Sequence, residues 1–206
     1  MSLVEHLANI SGFNRETWEL AAPFFSRRAV AKDQFLVQQD AVCNEVYFVE
    51  KGLFRLFYQM EGQERIMLFF KENQFAADYF SFLTRTPSIR PIQAIEDSLV
   101  LAIHRDSLEK LYRASPAWER VGRLLAEQAY VQSVLRANRL IHDDQDTRFE
   151  TFMAEFPDLL QRVPQYMIAS YLNMAPETFS RIKRRRMSET PTRPSVHQRG
   201  DFSSFS

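Results

Sequence analysis

Apolar residues change their spacing several times along the chain, and each change marks a different kind of element. From His6 to Phe25 they recur at helical intervals, through Leu7, Ile10 and Phe13 and then Trp18, Leu20 and Ala21, with a break at Ser11-Gly12 that predicts two short packing helices. From Arg28 to Ile103 the pattern becomes short runs of Val, Ile, Leu, Phe and Tyr. Turn signals at Gln39-Asp40, Lys51-Gly52, Met60-Glu61-Gly62-Gln63 and Thr86-Pro87 separate them, so this span predicts an antiparallel sandwich or barrel. Within it, Tyr47 to Phe57 reads as a hairpin turning at Gly52, which can take positive φ, with Leu53 to Tyr58 alternating faces. A second hairpin turns at Gly62.

Beyond Asp106 helical spacing returns. Ser115-Pro116 is a start signal, Ser as cap and Pro in the first turn, for a long helix reaching about Leu140. Trp118, Val121, Leu125, Gln128, Gln132 and Leu135 fall near a seven-residue spacing, and Leu124, Val131 and Val134 widen the stripe. Such a stripe needs a cover, either the chain's own strands or its twin across a two-fold axis. The polar stretch His142 to Asp146 reads as a hinge, after which Arg148 to Leu160 is helical again through Phe149, Phe152, Met153 and Phe156. The expected organisation is therefore a strand-rich body over 1–114, a long helix over 115–141, a hinge over 142–146, a small helical unit over 147–187 and a flexible Ser-, Thr- and Pro-rich tail over 188–206.

The small helical unit carries the clearest local signals. After Pro164, Ile168, Ala169 and Leu172 give one apolar face, and Asn173 can adopt the left-handed conformation that ends a helix abruptly. Pro176 then starts a second helix. Two helices joined by so short a turn form a helix-turn-helix. Phe179 and Ile182, three apart, give the second helix an inner face, leaving Glu177, Thr178, Ser180, Arg181, Arg184 and Arg185 on or near the outer side. Arg pairs bidentately with guanine, Glu accepts from cytosine, and hydroxyls bind phosphates, so that side suits a DNA major groove.

Composition narrows the picture. The net charge is zero, but the eight Lys and Arg from Gln161 onward face only three Asp and Glu, a formal +5 against −5 for the rest of the chain. A basic end on an acidic body suggests a polyanion partner. Cys43 is the only cysteine and reads as a free thiol, which excludes an internal disulfide and any site built on paired cysteines. The four histidines, His6, His104, His142 and His197, are scattered, and no metal-spaced cluster, phosphate loop or nucleophile elbow appears, so no enzyme and no metal site are expected. A single His can ligate haem, though nothing marks a pocket for it. No apolar run approaches a membrane span, and the N-terminus has no basic segment leading into an apolar one, which predicts a cytoplasmic protein with no membrane partner.

Three stretches resemble the CRP/FNR superfamily of bacterial transcription regulators: Tyr47-Phe48-Val49-Glu50-Lys51-Gly52, the run from Ala94 to Ile103, and Arg162-Val163-Pro164 through Ile168-Ala169-Ser170-Tyr171-Leu172 to Pro176-Glu177-Thr178-Phe179-Ser180-Arg181-Ile182. The last is similar to a branch common in Bacteroidetes. The similarity covers about residues 5–186. It implies an α+β fold, with an N-terminal antiparallel β-roll flanked by short helices, a long dimerisation helix and a C-terminal helix-turn-helix. The residues after Arg186 lack the alternation of the family's β-hairpin wing, which is expected to be reduced or absent.

The resemblance further implies a homodimer that binds double-stranded DNA and meets RNA polymerase. The dimer helix would use Val121, Leu124, Leu125, Gln128, Val131, Gln132 and Leu135. Base-reading positions, most often Arg, Glu and Arg in the family, hold Pro176, Glu177 and Arg181, while Gln165, Thr178, Ser180, Lys183, Arg184 and Arg185 would contact the backbone. Members that bind cyclic AMP carry a Gly-Glu pair followed some ten residues later by Arg-Ser or Arg-Thr. Here those places hold Ala77-Asp78 and Ser88-Ile89, with Arg90 two positions on. Without the phosphate-pairing Arg no cyclic nucleotide or other cofactor is expected. Asp78, Tyr79, Ser88, Arg90 and Ser133 remain the candidate pocket for an unknown small-molecule effector, the alternative being a filled roll that only supports the dimer. A competing reading is a ligand- or partner-binding signalling protein whose C-terminal unit has lost specific DNA binding.

Overall fold

The computed structural model describes residues 3–11, 13–60 and 62–188. Helices α1 (Leu3–Ser11) and α2 (Arg15–Ala21) come first, α2 capped by Asn14, whose side chain accepts from the Thr17 amide at 2.9 Å. A single 3-10 turn, Ala22–Phe24, leads into eight strands: β1 (Phe25–Val30), β2 (Phe35–Val37), β3 (Glu45–Lys51), β4 (Phe54–Met60), β5 (Gln63–Phe70), β6 (Phe75–Ala76), β7 (Ile92–Ala94) and β8 (Ser98–His104). Helix α3 (Tyr79–Thr84) interrupts them between β6 and β7. The strands form two four-stranded antiparallel sheets, ordered β1-β8-β3-β6 and β2-β7-β4-β5. Phe48, Val49, Phe54, Leu56, Ile92 and Val100 belong to the core that the two sheets share.

The hairpin expected at Gly52 is not one. β3 and β4 lie in different sheets, so the chain crosses from one layer to the other at this turn. Gly52 does take positive φ, at 101°, and a Cβ there would lie 2.0 Å from Ser98 Oγ, so the crossing depends on the missing side chain. The second hairpin forms as expected: β4 pairs with β5 down to Met60 opposite Gln63, with Gly62 at φ 76°.

After β8, α4 (Arg105–Ala114) packs beside α5 (Pro116–His142), the long helix. Ser115 occupies the cap position, but its side chain makes no capping bond, and its carbonyl receives the Trp118 and Glu119 amides. Trp118 and Val121 are buried, and the indole N–H donates to the Thr17 carbonyl at 3.0 Å, fastening this end of the helix to the N-terminal pair. From Glu127 onward the helix is largely exposed, including Gln128, Tyr130, Val131, Gln132, Val134 and Leu135, while Leu124 and Leu125 are half-buried.

Four further helices follow among the described residues: α6 (Gln145–Glu155), α7 (Leu159–Arg162), α8 (Gln165–Tyr171) and α9 (Pro176–Ser188). The stretch 142–146, read as a hinge, is mostly helical. His142 ends α5, Gln145 starts α6, and Asp144 between them caps α6 by accepting from the Thr147 amide at 2.8 Å. The C-terminal helices do not build their core alone. Phe149, Phe152, Leu159, Ile168 and Phe179 pack with Phe57, Ile66 and Phe69 from the strands and with Leu53 and Ile95 from the turns beside them. β4 is therefore covered on both faces, by the roll core and by the C-terminal unit, and in its first half Phe54 to Phe57 are all buried, Arg55 included. Ser188, the expected start of the tail, still belongs to α9, and the rest of that tail, with the wing expected to be reduced or absent, lies outside the described residues.

Candidate functional site

α8 and α9 meet across a turn whose geometry follows from Asn173. This residue adopts φ 52°, its amide donates to Ser170 O at 3.1 Å, and the Met174 amide donates to Ala169 O at 3.0 Å. That paired arrangement satisfies the last carbonyls of α8 and turns the chain sharply. Ala169 and Ile168 are fully buried against α9, as are Phe179 and Ile182 from the other side. The register leaves Pro176, Glu177, Ser180, Arg181 and Arg184 exposed, Thr178 and Lys183 half-buried, and Gln165 exposed at the start of α8. The expected base-reading residues thus share one accessible face.

Arg185 departs from its expected role as a backbone contact. Its guanidinium pairs with Asp146, and the neighbouring Arg186 pairs with Glu150 at 2.6 Å. The end of α9 lies against the start of α6, so part of the Arg run is used to close the unit on itself.

A second set of residues, which sequence reasoning passed over, fixes the helix-turn-helix to the roll. Arg162 donates to Glu72 at 2.8 Å, to Glu96 at 2.6 Å and to Asp158 at 2.8 Å, and Lys71 reaches Asp158 at 3.2 Å. Glu72 also accepts from the Gly52 amide at 2.9 Å, so the sheet crossing and the start of the helix-turn-helix share one carboxylate. These carboxylates hold the Arg162 pKa well above the ordinary guanidinium value. Burial is the largest single influence on the Glu72 and Asp158 carboxyls and pushes both up, but the Arg162 bonds, together with backbone amides and, for Asp158, Lys71, hold both below the usual range. In α8, the Ser170 hydroxyl accepts from Ile66 N–H at 3.0 Å and donates to Glu64 O at 3.1 Å, pairing that helix with the open edge of β5. The signal for this docking was β4 itself: Phe54, Leu56 and Phe57 supply apolar groups to both faces of one strand, with Leu53 just before it.

In the roll, the candidate pocket residues fall into two groups. Asp78, Ser88 and Arg90 come together: the buried Asp78 carboxylate accepts from Ser88 Oγ at 2.6 Å and pairs with the Arg90 guanidinium, while the Arg90 amide donates to Ser88 Oγ at 3.0 Å. Arg90 also lies over the Phe80 ring at 5.7 Å, and its Nε–H has no hydrogen-bond partner. Tyr79 follows at the start of α3, stacked on Phe82, with burial raising its phenol pKa. Ser133 does not join them. It is exposed on α5 and donates only to Tyr130 O, one turn back in the same helix.

A family model described as a cyclic nucleotide-binding domain matches residues 27–115, the span of the roll and α4. Among solved structures, FixK2 from Bradyrhizobium japonicum is similar at a TM-score of 0.68 and 19% identity, over 80% of this chain and 85% of its own. A Crp/Fnr family regulator from Eubacterium rectale follows at 0.65 and 17%, over 86% and 85%. The fold is that of the CRP/FNR regulators. The catabolite activator protein of Thermus thermophilus shares this CRP/FNR fold at a TM-score of 0.56 and 22% identity, over 89% of this chain and 87% of its own. A search of curated proteins finds no sequence match. Among the described residues, no helix is long and apolar enough to cross a membrane and no His, Cys, Asp and Glu cluster is placed to hold a metal ion.

Proposed function

We propose that this chain is a homodimeric transcription regulator that reads two-fold DNA through α9. The observation that carries the reading is the exposed face of α9, where Glu177, Ser180, Arg181 and Arg184 project outward while Phe179 and Ile182 anchor the helix from behind. Glu177 and Arg181 are one turn apart, which lets both reach base edges in one major groove. Sequence reading rests on these two, with Pro176 in a position that has no hydrogen-bonding group to offer. Val131, Val134 and Leu135, exposed along the second half of α5, support pairing with a second copy.

The roll supports a sensor of something other than cyclic AMP. Asp78 already takes the charge of Arg90, so a cyclic phosphate would meet a buried carboxylate instead of a free guanidinium. Calorimetry with cyclic AMP should show no micromolar binding, and a tight complex would overturn this part of the reading.

Selection from random duplexes tests the whole. A short pseudo-palindromic site is expected, and Arg181→Ala should abolish its enrichment in a chain that stays folded and dimeric. Selection of no shared motif by the wild-type chain would favour a signalling protein that has lost specific DNA binding.

A further inference from the structure

Where the end of α5, the middle of α6 and the end of α8 meet, a small pocket of about 30 Å3 opens to solvent, lined by Arg136, Arg139, Arg148, Glu155, Phe152 and Tyr171 among others. Three guanidinium groups thus surround a single carboxylate. Arg139 pairs with that carboxylate at 2.7 Å, leaving Arg136 and Arg148 with no ion pair among the described residues. Arg136 lies over the Tyr171 ring at 4.0 Å and donates to the Tyr171 carbonyl at 3.0 Å and to the Ile66 carbonyl at 3.5 Å. The Nε–H groups of Arg136 and Arg148 are both buried with no hydrogen-bond partner.

Arginine cannot escape such a position by losing its proton, because the guanidinium stays charged throughout the physiological range. Burial of an uncompensated charge is costly, and burial of two together adds their repulsion. Neutral carbonyls and an aromatic face relieve Arg136 only in part. Glu155 acts on Arg136 and Asp144 on Arg148 without pairing directly with either, so an anion from solution would complete the countercharge, and planar guanidiniums are shaped to grip a phosphoryl or carboxylate group.

We propose that this joint is an anion-binding site, which takes the phosphoryl or carboxylate group of a small molecule between Arg136 and Arg148. Because Arg136 touches both β5 and α8, an anion held there would act on the contact between roll and helix-turn-helix. The proposal rests on the pocket's own residues and stands independently of DNA binding.

The test titrates the full chain with inorganic phosphate and with pyrophosphate at constant ionic strength, chloride serving as control, by calorimetry and thermal melting. Saturable binding with a raised melting temperature is expected, weakened about ten-fold or more in Arg148→Gln, since one charged hydrogen-bonding partner is lost. Should Arg148→Gln fail to fold, Glu155→Gln serves instead: removing the competing carboxylate should tighten phosphate binding. No response beyond that to chloride, equal phosphate affinity in Arg148→Gln, or no tightening in Glu155→Gln would each overturn the proposal. So would a chain in which Arg148→Gln weakens duplex binding while phosphate alone never binds, because the pair would then belong to a nucleic-acid backbone.

Discussion

A single methyl group at position 52 would test how the two sheets are joined. Gly52 combines φ 101° with an approach that would bring a Cβ within 2.0 Å of Ser98 Oγ and 2.8 Å of Ser98 Cα, so both the backbone and its neighbour resist a side chain. Gly52→Ala should cost about 2–4 kcal/mol in urea or guanidinium denaturation, a loss set by backbone strain plus the clash. A cost under about 1 kcal/mol would mean that the crossing is looser than described. Residues of this local kind were the most legible in the sequence. Asn173 could be read because its left-handed conformation is a property of the residue and its place at a helix end. Arg162 could not: its partners Glu72 and Glu96 lie 90 and 66 positions away, and nothing in its own neighbourhood announces them. The Asp78–Arg90 pair shows the intermediate case, where two residues flagged separately for a ligand turned out to satisfy each other.

At the scale of elements, the Arg162 cluster is the piece that ties α7 and α8 to the strand turns. Its members are partly solvent-accessible, so screening reduces what each pair contributes, and Arg162→Ala should cost about 1–3 kcal/mol in all. Hydrogen exchange should show the loss at Ile66, whose amide is held by Ser170, before it appears in β3 and β8. The acid dependence follows from the same groups. The Glu72 and Asp158 carboxyls sit below their ordinary values of 4.5 and 3.8, so their contribution is complete above about pH 4.5 and fades as pH falls through the lowered values. Arg162→Ala should flatten that acid limb of the stability profile, and an unchanged limb would mean that other carboxylates control it. The pairing of elements was also where the sequence misled. Strand content and turns were readable from local pattern, but a turn beside Gly52 looks the same whether the next strand pairs with the previous one or joins the opposite sheet. Only the apolar groups on both faces of β4 hinted that the strand was sandwiched.

For the molecule as a whole, the second half of α5 is the conspicuous unfinished surface. Val131 is 48% and Leu135 40% exposed, on a helix whose first turns are buried on the roll. Leu135→Glu should convert the proposed dimer to a monomer in sedimentation experiments while leaving the roll's thermal transition in place. A dimer that persists would move the interface elsewhere. The heptad-like spacing was visible beforehand. Its division of labour was not, since Trp118 and Val121 serve the chain's own core and only the later positions stand open.

The docking of α8 on β5 has a thermodynamic consequence for any signal this protein answers. Lifting the helix-turn-helix from the roll would return Leu53, Phe57, Ile66 and Phe69 to water, at a cost on the order of several kcal/mol. An effector can shift such an equilibrium only by the difference between its affinities for the docked and undocked forms, and a swing from one part in a hundred to ninety-nine requires roughly a 10⁴-fold preference. The apolar seam between roll and helix-turn-helix would therefore act as a threshold. In the regulator proposed above, weak or indiscriminate ligands would leave the docked population where it was, and only a molecule that tells the two arrangements apart would move it.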